Sequence, residues 1–180
     1  MQDDWNRNVL RFWFTEIRPE AWFGADPEID ATIRMRFLER YRDLRNRPVA
    51  TLVDTPETAL AAVIVLDQFP RNMFRGTPEA FAADAHALAL AEAAIAAGHD
   101  RRLDVAEGQF LYMPFQHSED LEIQRRSLAL FAPLGPELLD YAKRHHAIIE
   151  QFGRFPHRND ILGRASTAAE IAFLKATPPF

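Results

Sequence analysis

The chain has 180 residues, 48% of them hydrophobic and 26% charged, with a formal net charge of −5 and no cysteine. The missing cysteine excludes a disulfide scaffold, a cysteine zinc site, an iron–sulfur cluster and a thiol nucleophile. The negative charge argues against broad binding to nucleic acid. A chain of this length buries about 70% of its unfolded surface, so one core suffices without covalent or metal staples. Its longest stretch without Asp, Glu, Lys or Arg is eleven residues, 108–118. A membrane span needs about 20 apolar residues, so no membrane partner is expected. Asp3, Asp4, Arg7 and Arg11 interrupt the first apolar residues, which argues against a signal peptide and leaves a cytoplasmic location as the expectation. Abundant alanine and only 7 glycines favour helix over strand. Two lysines, Lys143 and Lys175, stand beside 19 arginines. GC-rich codon usage accounts for that bias as a whole, so only the positions of particular arginines carry information.

A first helix over about residues 4–17 carries Val9, Leu10, Phe12, Trp13 and Phe14, and Pro19 follows its end. Asp26-Pro27 is an N-cap followed by proline at the first helical position, after which Ile29, Ile33, Phe37, Tyr41 and Leu44 recur at helical spacing. Thr55-Pro56 repeats the start signal, and the Leu60, Val63, Ile64 stripe is expected to stop near Phe69-Pro70. Thr77-Pro78 repeats it again, for a helix with Phe81, Ala85, Leu88, Ala91 and Ile95 on one face and Gly98 as its C-terminal cap. A short helix over about 104–113 is expected to end at Pro114. Ser118 reads as the cap of the next helix, with Glu119, Asp120 and Glu122 at the positive end of its dipole. A helix from Pro136 through Leu138, Ala142, His145 and Ile149 stops at Gly153, and Thr167 with Glu170 forms a capping box for the last. No segment alternates as a strand does. The expectation is an all-α protein of about eight helices in antiparallel hairpins, one domain over residues 1–177 with a short tail at 178–180. Trp5, Phe12, Trp13, Phe14, Trp22 and Phe23 are read as packing the first helix into the core.

An internal echo joins two distant stretches. Gln68-Phe69-Pro70-Arg71-Asn72 and Gln151-Phe152-Gly153-Arg154-Phe155-Pro156-His157-Arg158-Asn159 both run from a helix end through Phe-Pro to Arg-Asn. A duplicated helix–turn–helix unit would put the two Arg-Asn pairs in comparable places, while common loop chemistry would also explain the likeness. These stretches, together with Phe110-Leu111-Tyr112-Met113-Pro114-Phe115-Gln116-His117-Ser118-Glu119-Asp120 and Val9-Leu10-Arg11-Phe12-Trp13-Phe14, resemble the signature of the bacterial family called domain of unknown function 924. The resemblance covers nearly the whole chain. It implies an all-helical fold of the tetratricopeptide-like class, a right-handed helical array, and it implies no established activity. A 34-residue tetratricopeptide consensus is not visible, so peptide binding does not follow from it.

The candidate chemistry rests on inward polar residues. Asp67 follows Ile64, Val63 and Leu60 by three, four and seven residues, which places it on the apolar face of its helix, where a carboxylate needs a partner. Arg71, four residues on, is the nearest one. His145 lies on an inward stripe between Leu138 and Ile149. Tyr112 and His117 flank Pro114, Glu119 follows closely, and Arg154, His157, Arg158 and Asn159 crowd one short stretch. If these segments meet, Asp67, His117, His145 and Glu119 are the acid–base candidates. Arg71, Asn72, Tyr112, Arg154, His157, Arg158 and Asn159 are then the candidate contacts to a small anionic molecule bearing phosphate or carboxylate. No metal is assigned, because His117, His145 and His157 lack the helical spacings of ligand pairs, and no cofactor is implied. Ser118, Ser127 and Ser166 lack a nucleophile context. Three readings remain open: an anion-binding pocket, whose catalytic version is a cofactor-free, hydrolase-like acid–base enzyme; a purely structural network; and a scaffold that binds protein partners on its outer surface.

Overall fold

Side-chain caps and prolines set most helix starts in the computed structural model, which describes residues 4–177. The expected tail at 178–180 and Asp3 lie outside the described residues. Helix α1 (Trp5–Arg11) runs on as a π-helical turn, Phe12–Glu16. Helix α2 (Pro27–Leu44) starts where Asp26 accepts the amides of Glu28 and Ile29. Helix α3 (Pro56–Val63) is capped by Thr55, passes through a π-helical turn (Ile64–Gln68) and continues as α4 (Phe69–Met73). Then come α5 (Asp84–Ala96), α6 (Val105–His117), α7 (Leu121–Phe131), α8 (Pro136–Phe152) and α9 (Ala168–Ala176). With the α3–α4 rod counted once, the described residues form eight helices and no strand. This is the all-α fold that the residue pattern implies. Capping boxes start α6 (Asp104 with Glu107) and α9 (Thr167 with Glu170), and α8 ends at Gly153 with φ +68°. Among the described residues no helix is long and apolar enough to cross a membrane.

The rod is the axis of the molecule. Every residue from Ala59 to Pro70 is buried, so this stretch is apolar on all sides rather than on one stripe. Around it, α1 packs on α3, α2 on α4, α3 on α5, α5 on α6, α6 on α7 and α7 on α8. The short connections make α5 to α8 three successive hairpins. Trp13 lies against Phe69 and Phe110 at ring distances of 5.7 and 5.4 Å, and Phe37 lies on Phe69 at 4.8 Å. The N-terminal aromatic residues thus enter the main core, apart from Phe23, which is 60% exposed. A smaller core of Ile148, Ile149 and Phe155 seats the segment before α9 on α8.

Three boundaries differ from the sequence expectation. The helix after Thr55 does not stop at Phe69-Pro70. The amide of Phe69 bonds the carbonyl of Ile64, five residues back, and this widened turn accommodates a proline ring that a regular α-turn would meet head-on. Helix α6 does not end at Pro114 but runs to His117. Its stretch from Gly108 to Gln116 is buried throughout, and that packing outweighs one lost hydrogen bond. Asp120, not Ser118, caps α7 by accepting the amides of Glu122 and Ile123. In addition, Pro78–Phe81 is a separate 3-10 turn ahead of α5, so Phe81 leaves the α5 stripe.

Candidate functional site

The continuation of both helices past their prolines creates the centre of the site. Met113 and His117 stand four apart on one face of α6 and meet the π-helical turn of the rod. There Gln68 Nε2 lies 3.2 Å from Met113 Sδ, and His117 Nδ1 lies 2.7 Å from Asp67 Oδ1. The Asp67 carboxylate is fully buried and also accepts from Gln68 Nε2, and Arg71 Nη1 is 3.5 Å away. A carboxylate offers only acceptors, so His117 must carry its proton on Nδ1, which leaves Nε2 as the basic nitrogen.

Arg71 donates to both oxygens of Asp84, at 2.9 and 3.0 Å, and to the Asp67 carbonyl. Arg158, from the far end of the chain, reaches the same Asp84 at 3.3 Å and the His117 carbonyl at 3.0 Å. Its guanidinium lies between the rings of Phe81 and Phe155, 4.6 and 4.7 Å from their centroids. His145 lies beside His117 with ring centroids 6.3 Å apart, and its Nδ1 donates to the Tyr141 carbonyl. The two Arg-Asn segments of the sequence echo therefore do converge through their arginines, although Arg71 sits in a helix and Arg158 in a 3-10 turn (Pro156–Arg158).

Burial dominates the electrostatics. It pushes the Asp67 carboxyl up, but the charges of His117 and Arg71 and the hydrogen bonds from His117 and Gln68 outweigh it, so the group stays below the ordinary carboxylate range. The His117 imidazole moves down, through burial and the Arg71 charge, against the pull of Asp67. At neutral pH the pair is therefore a neutral, Nδ1-protonated His117 on an ionised Asp67. Burial, with the like charges around it, brings His145 down to about 4. Burial and the Arg71 charge bring Arg158 down to about 10, against the pull of Asp84, Glu119 and Asp67.

These groups border a cavity of about 980 Å³. Arg71, Arg75, Arg144 and Arg158 and the three histidines His117, His145 and His157 line it, with no aspartate or glutamate among its lining residues. The carboxylates stand behind the arginines: Asp84 behind Arg71 and Arg158, Asp30 behind Arg75 and Asn72. Asn72 also lines the cavity. A second hollow of about 410 Å³ lies along α8 between Pro136 and Arg144. Among the described residues no three His, Asp or Glu side chains gather as a metal site would require.

Besides Asp67, which stands behind His117, four sequence candidates lie outside the cavity lining. The Tyr112 hydroxyl donates to Asp100 at 3.0 Å, and burial together with that carboxylate pushes its pKa up to about 12. Glu119 accepts the Phe155 amide at 2.8 Å and the Arg164 guanidinium at 2.7 and 3.0 Å. Arg154 pairs with the buried Glu170 at 2.6 and 2.8 Å, and buried Asn159 bonds Ser166 and Arg164. Arg164 also donates to the Phe155 carbonyl, so this second network clamps the segment that presents Phe155, His157 and Arg158. Arg164→Ala is expected to cost about 2 kcal/mol and to raise amide hydrogen exchange across residues 153–167 well above that of α3. Unchanged protection there would show that the clamp is not what holds the segment.

Sequence reasoning missed Asp84, Gln68, Arg164 and the Phe81–Phe155 platform. Asp84 reads as an ordinary first-turn acid of α5, and nothing in its spacing links it to Arg158, 74 residues later. Gln68 had one signal, its place beside an inward aspartate.

The fold agrees with what the chain is similar to. No curated protein matches it significantly. A solved structure, that of the protein of unknown function ATU0120 from Agrobacterium tumefaciens, is 38% identical with a TM-score of 0.91, over 96% of this chain and 97% of that one. The family described as "Bacterial protein of unknown function (DUF924)" matches residues 9–178. Over nearly its whole length the chain therefore belongs to this bacterial family, whose function is unknown.

Proposed function

We propose that the protein binds a small anionic ligand in the cavity between the rod, α6, α8 and the segment after Gly153. The observation that carries this reading is the composition of the wall: four arginines and three histidines face the space, while the carboxylates that neutralise them lie behind it. A wall of that kind favours an incoming negative charge over a neutral or positive one. The outer-scaffold alternative has less behind it, since the large exposed hydrophobics Phe23, Met35, Val105, Tyr141 and Ile171 come from separate elements rather than one patch. Calorimetric titration with benzoate, benzyl alcohol and benzylamine tests the reading. Benzoate is expected to bind saturably and to raise Tm by mass action, with little response to the other two. Arg158→Gln is expected to abolish the benzoate response. A benzylamine response equal to that of benzoate contradicts the proposal.

One observation favours a catalytic version, the 2.7 Å contact of Asp67 with His117. A neutral His117 held by a buried carboxylate suits a general base. In ester hydrolysis its Nε2 would take a proton from water as the water oxygen bonds the carbonyl carbon, and would return it to the departing alkoxide oxygen. A panel of carboxylate-bearing nitrophenyl esters is expected to show turnover that His117→Ala removes. Equal turnover in the two proteins rejects the catalytic version and leaves the binding reading in place.

A further inference from the structure

The cavity is far larger than an inorganic anion needs. Its 980 Å³ lies at the upper end of the range in which sites hold drug-sized organic ligands. Beyond the arginines and histidines its wall is mostly hydrocarbon and aromatic. Trp22 and Phe23 form part of it, Ile148, Ile161 and Phe173 another, and Tyr141 stands in the lining with half its surface exposed. Phe23 and Tyr141 are among the large side chains that the protein leaves in water, and both belong to this one cavity. Exposed aromatics at the edge of a concave site are what an apolar ligand body covers.

The charge balance limits the head group. Arg71 and Arg158 face the buried Asp67 and the partly buried Asp84, and two guanidinium charges meet two carboxylates. Asp84 gives both oxygens to Arg71 at 2.9 and 3.0 Å and only one 3.3 Å contact to Arg158. Arg158 is therefore the more loosely held of the two guanidiniums, while Arg75 and Arg144 already pair with Asp30 and Asp140. The empty network is already balanced, so a ligand adds its whole charge to the site and a single negative charge adds the least. A dianion would leave a second charge half-buried without a partner.

Building on the anion-binding reading, we propose that the ligand is an amphipathic monocarboxylate, with its carboxylate on Arg158 beside His117 and its hydrocarbon or aromatic body along the Trp22, Phe23 and Ile148, Ile161, Phe173 walls. The class includes medium-chain fatty acids and arylalkanoic acids. Both use the same pair of features, one planar anion that a guanidinium can grip and a body that leaves water on binding.

Calorimetric titration with acetate, octanoate, 1-octanol and octyl phosphate separates the parts. Octanoate is expected to bind at least about tenfold more tightly than acetate, because of the buried methylenes, and at least about tenfold more tightly than 1-octanol, because of the charge. Phe23→Ala, a change at an exposed side chain that leaves the fold intact, is expected to weaken octanoate severalfold and to leave acetate unchanged. Arg158→Gln is expected to bring octanoate down to the level of 1-octanol. Equal affinity for acetate and octanoate, with no effect of Phe23→Ala, would overturn the amphipathic ligand while the anion site stood. Tighter binding of octyl phosphate than of octanoate would overturn the monocarboxylate head. Octanoate binding no better than 1-octanol would remove the anion reading itself.

Discussion

Asp67→Asn should lower the stability of the protein by about 3 to 5 kcal/mol, the range for removing one partner of a buried ion pair. The substitution keeps the shape of the side chain, so no cavity accounts for the loss. What changes is the charge opposite Arg71 and the number of acceptors. Asp67 takes hydrogen bonds from His117 and Gln68 with no solvent exposure, and one arm of the new amide would be a donor facing donors. His117 would also lose the acceptor that fixes its tautomer. Urea unfolding of the two proteins reads the effect as a fall in midpoint at constant slope. A loss under about 1 kcal/mol, comparable to a surface pair, would mean that the carboxylate is not the anchor of the network.

Acidification should destabilise the protein well above the pH at which carboxylates titrate. In the folded chain His145 titrates near 4, against an ordinary 6.5. Above pH 6.5 the group is neutral in both states and contributes nothing to the pH dependence. Between 6.5 and about 4 the unfolded chain takes up a proton that the folded chain refuses, so stability falls as the pH falls. Below about 4 the penalty is complete, at most about 3 kcal/mol for this shift and less for the exposed part of the ring. His117 is lowered in the same direction and adds to the effect. The loss from Asp67 begins only further down, as the pH drops below its unfolded value of about 3.9. Urea midpoints measured from pH 7 to pH 4 should therefore decline for the wild type, and His145→Gln should flatten the decline. A wild-type midpoint constant over that range would place both imidazoles in contact with water.

Local signals made most of the helices legible. Asp26-Pro27, Thr55-Pro56, and the pairing of Thr167 with Glu170 are short-range chemistry, and each starts a helix where the spacing implies. The errors fell where a tertiary effect overrides such a signal. Pro70 and Pro114 read as stops, yet a widened turn accommodates the first and a fully buried face carries the second. Those two errors matter for the site, because the continued helices are what set Asp67 opposite His117. The inward aspartate and its Arg71 partner were visible from helical spacing. The approach of His117, 50 residues from Asp67, and the shared use of Asp84 by Arg71 and Arg158 depend on how the hairpins stack, which spacing along the chain does not encode. Tyr112, Glu119, Arg154 and Asn159 lie outside the cavity lining, where Glu119 and Arg154 hold backbone groups and Tyr112 and Asn159 bond side chains.

The proposal rests on one arrangement, a neutral His117 held by Asp67 at the edge of the arginine-lined cavity. Nitrogen NMR of the histidine rings at pH 7, recorded during a titration with octanoate, addresses it most directly. The geometry predicts that His117 is protonated on Nδ1 alone and that its Nε2 resonance moves saturably as the anion is added, with no such movement in Arg158→Gln. A His117 protonated on Nε2 or on both nitrogens in the free protein, or one that is indifferent to the anion, would contradict it.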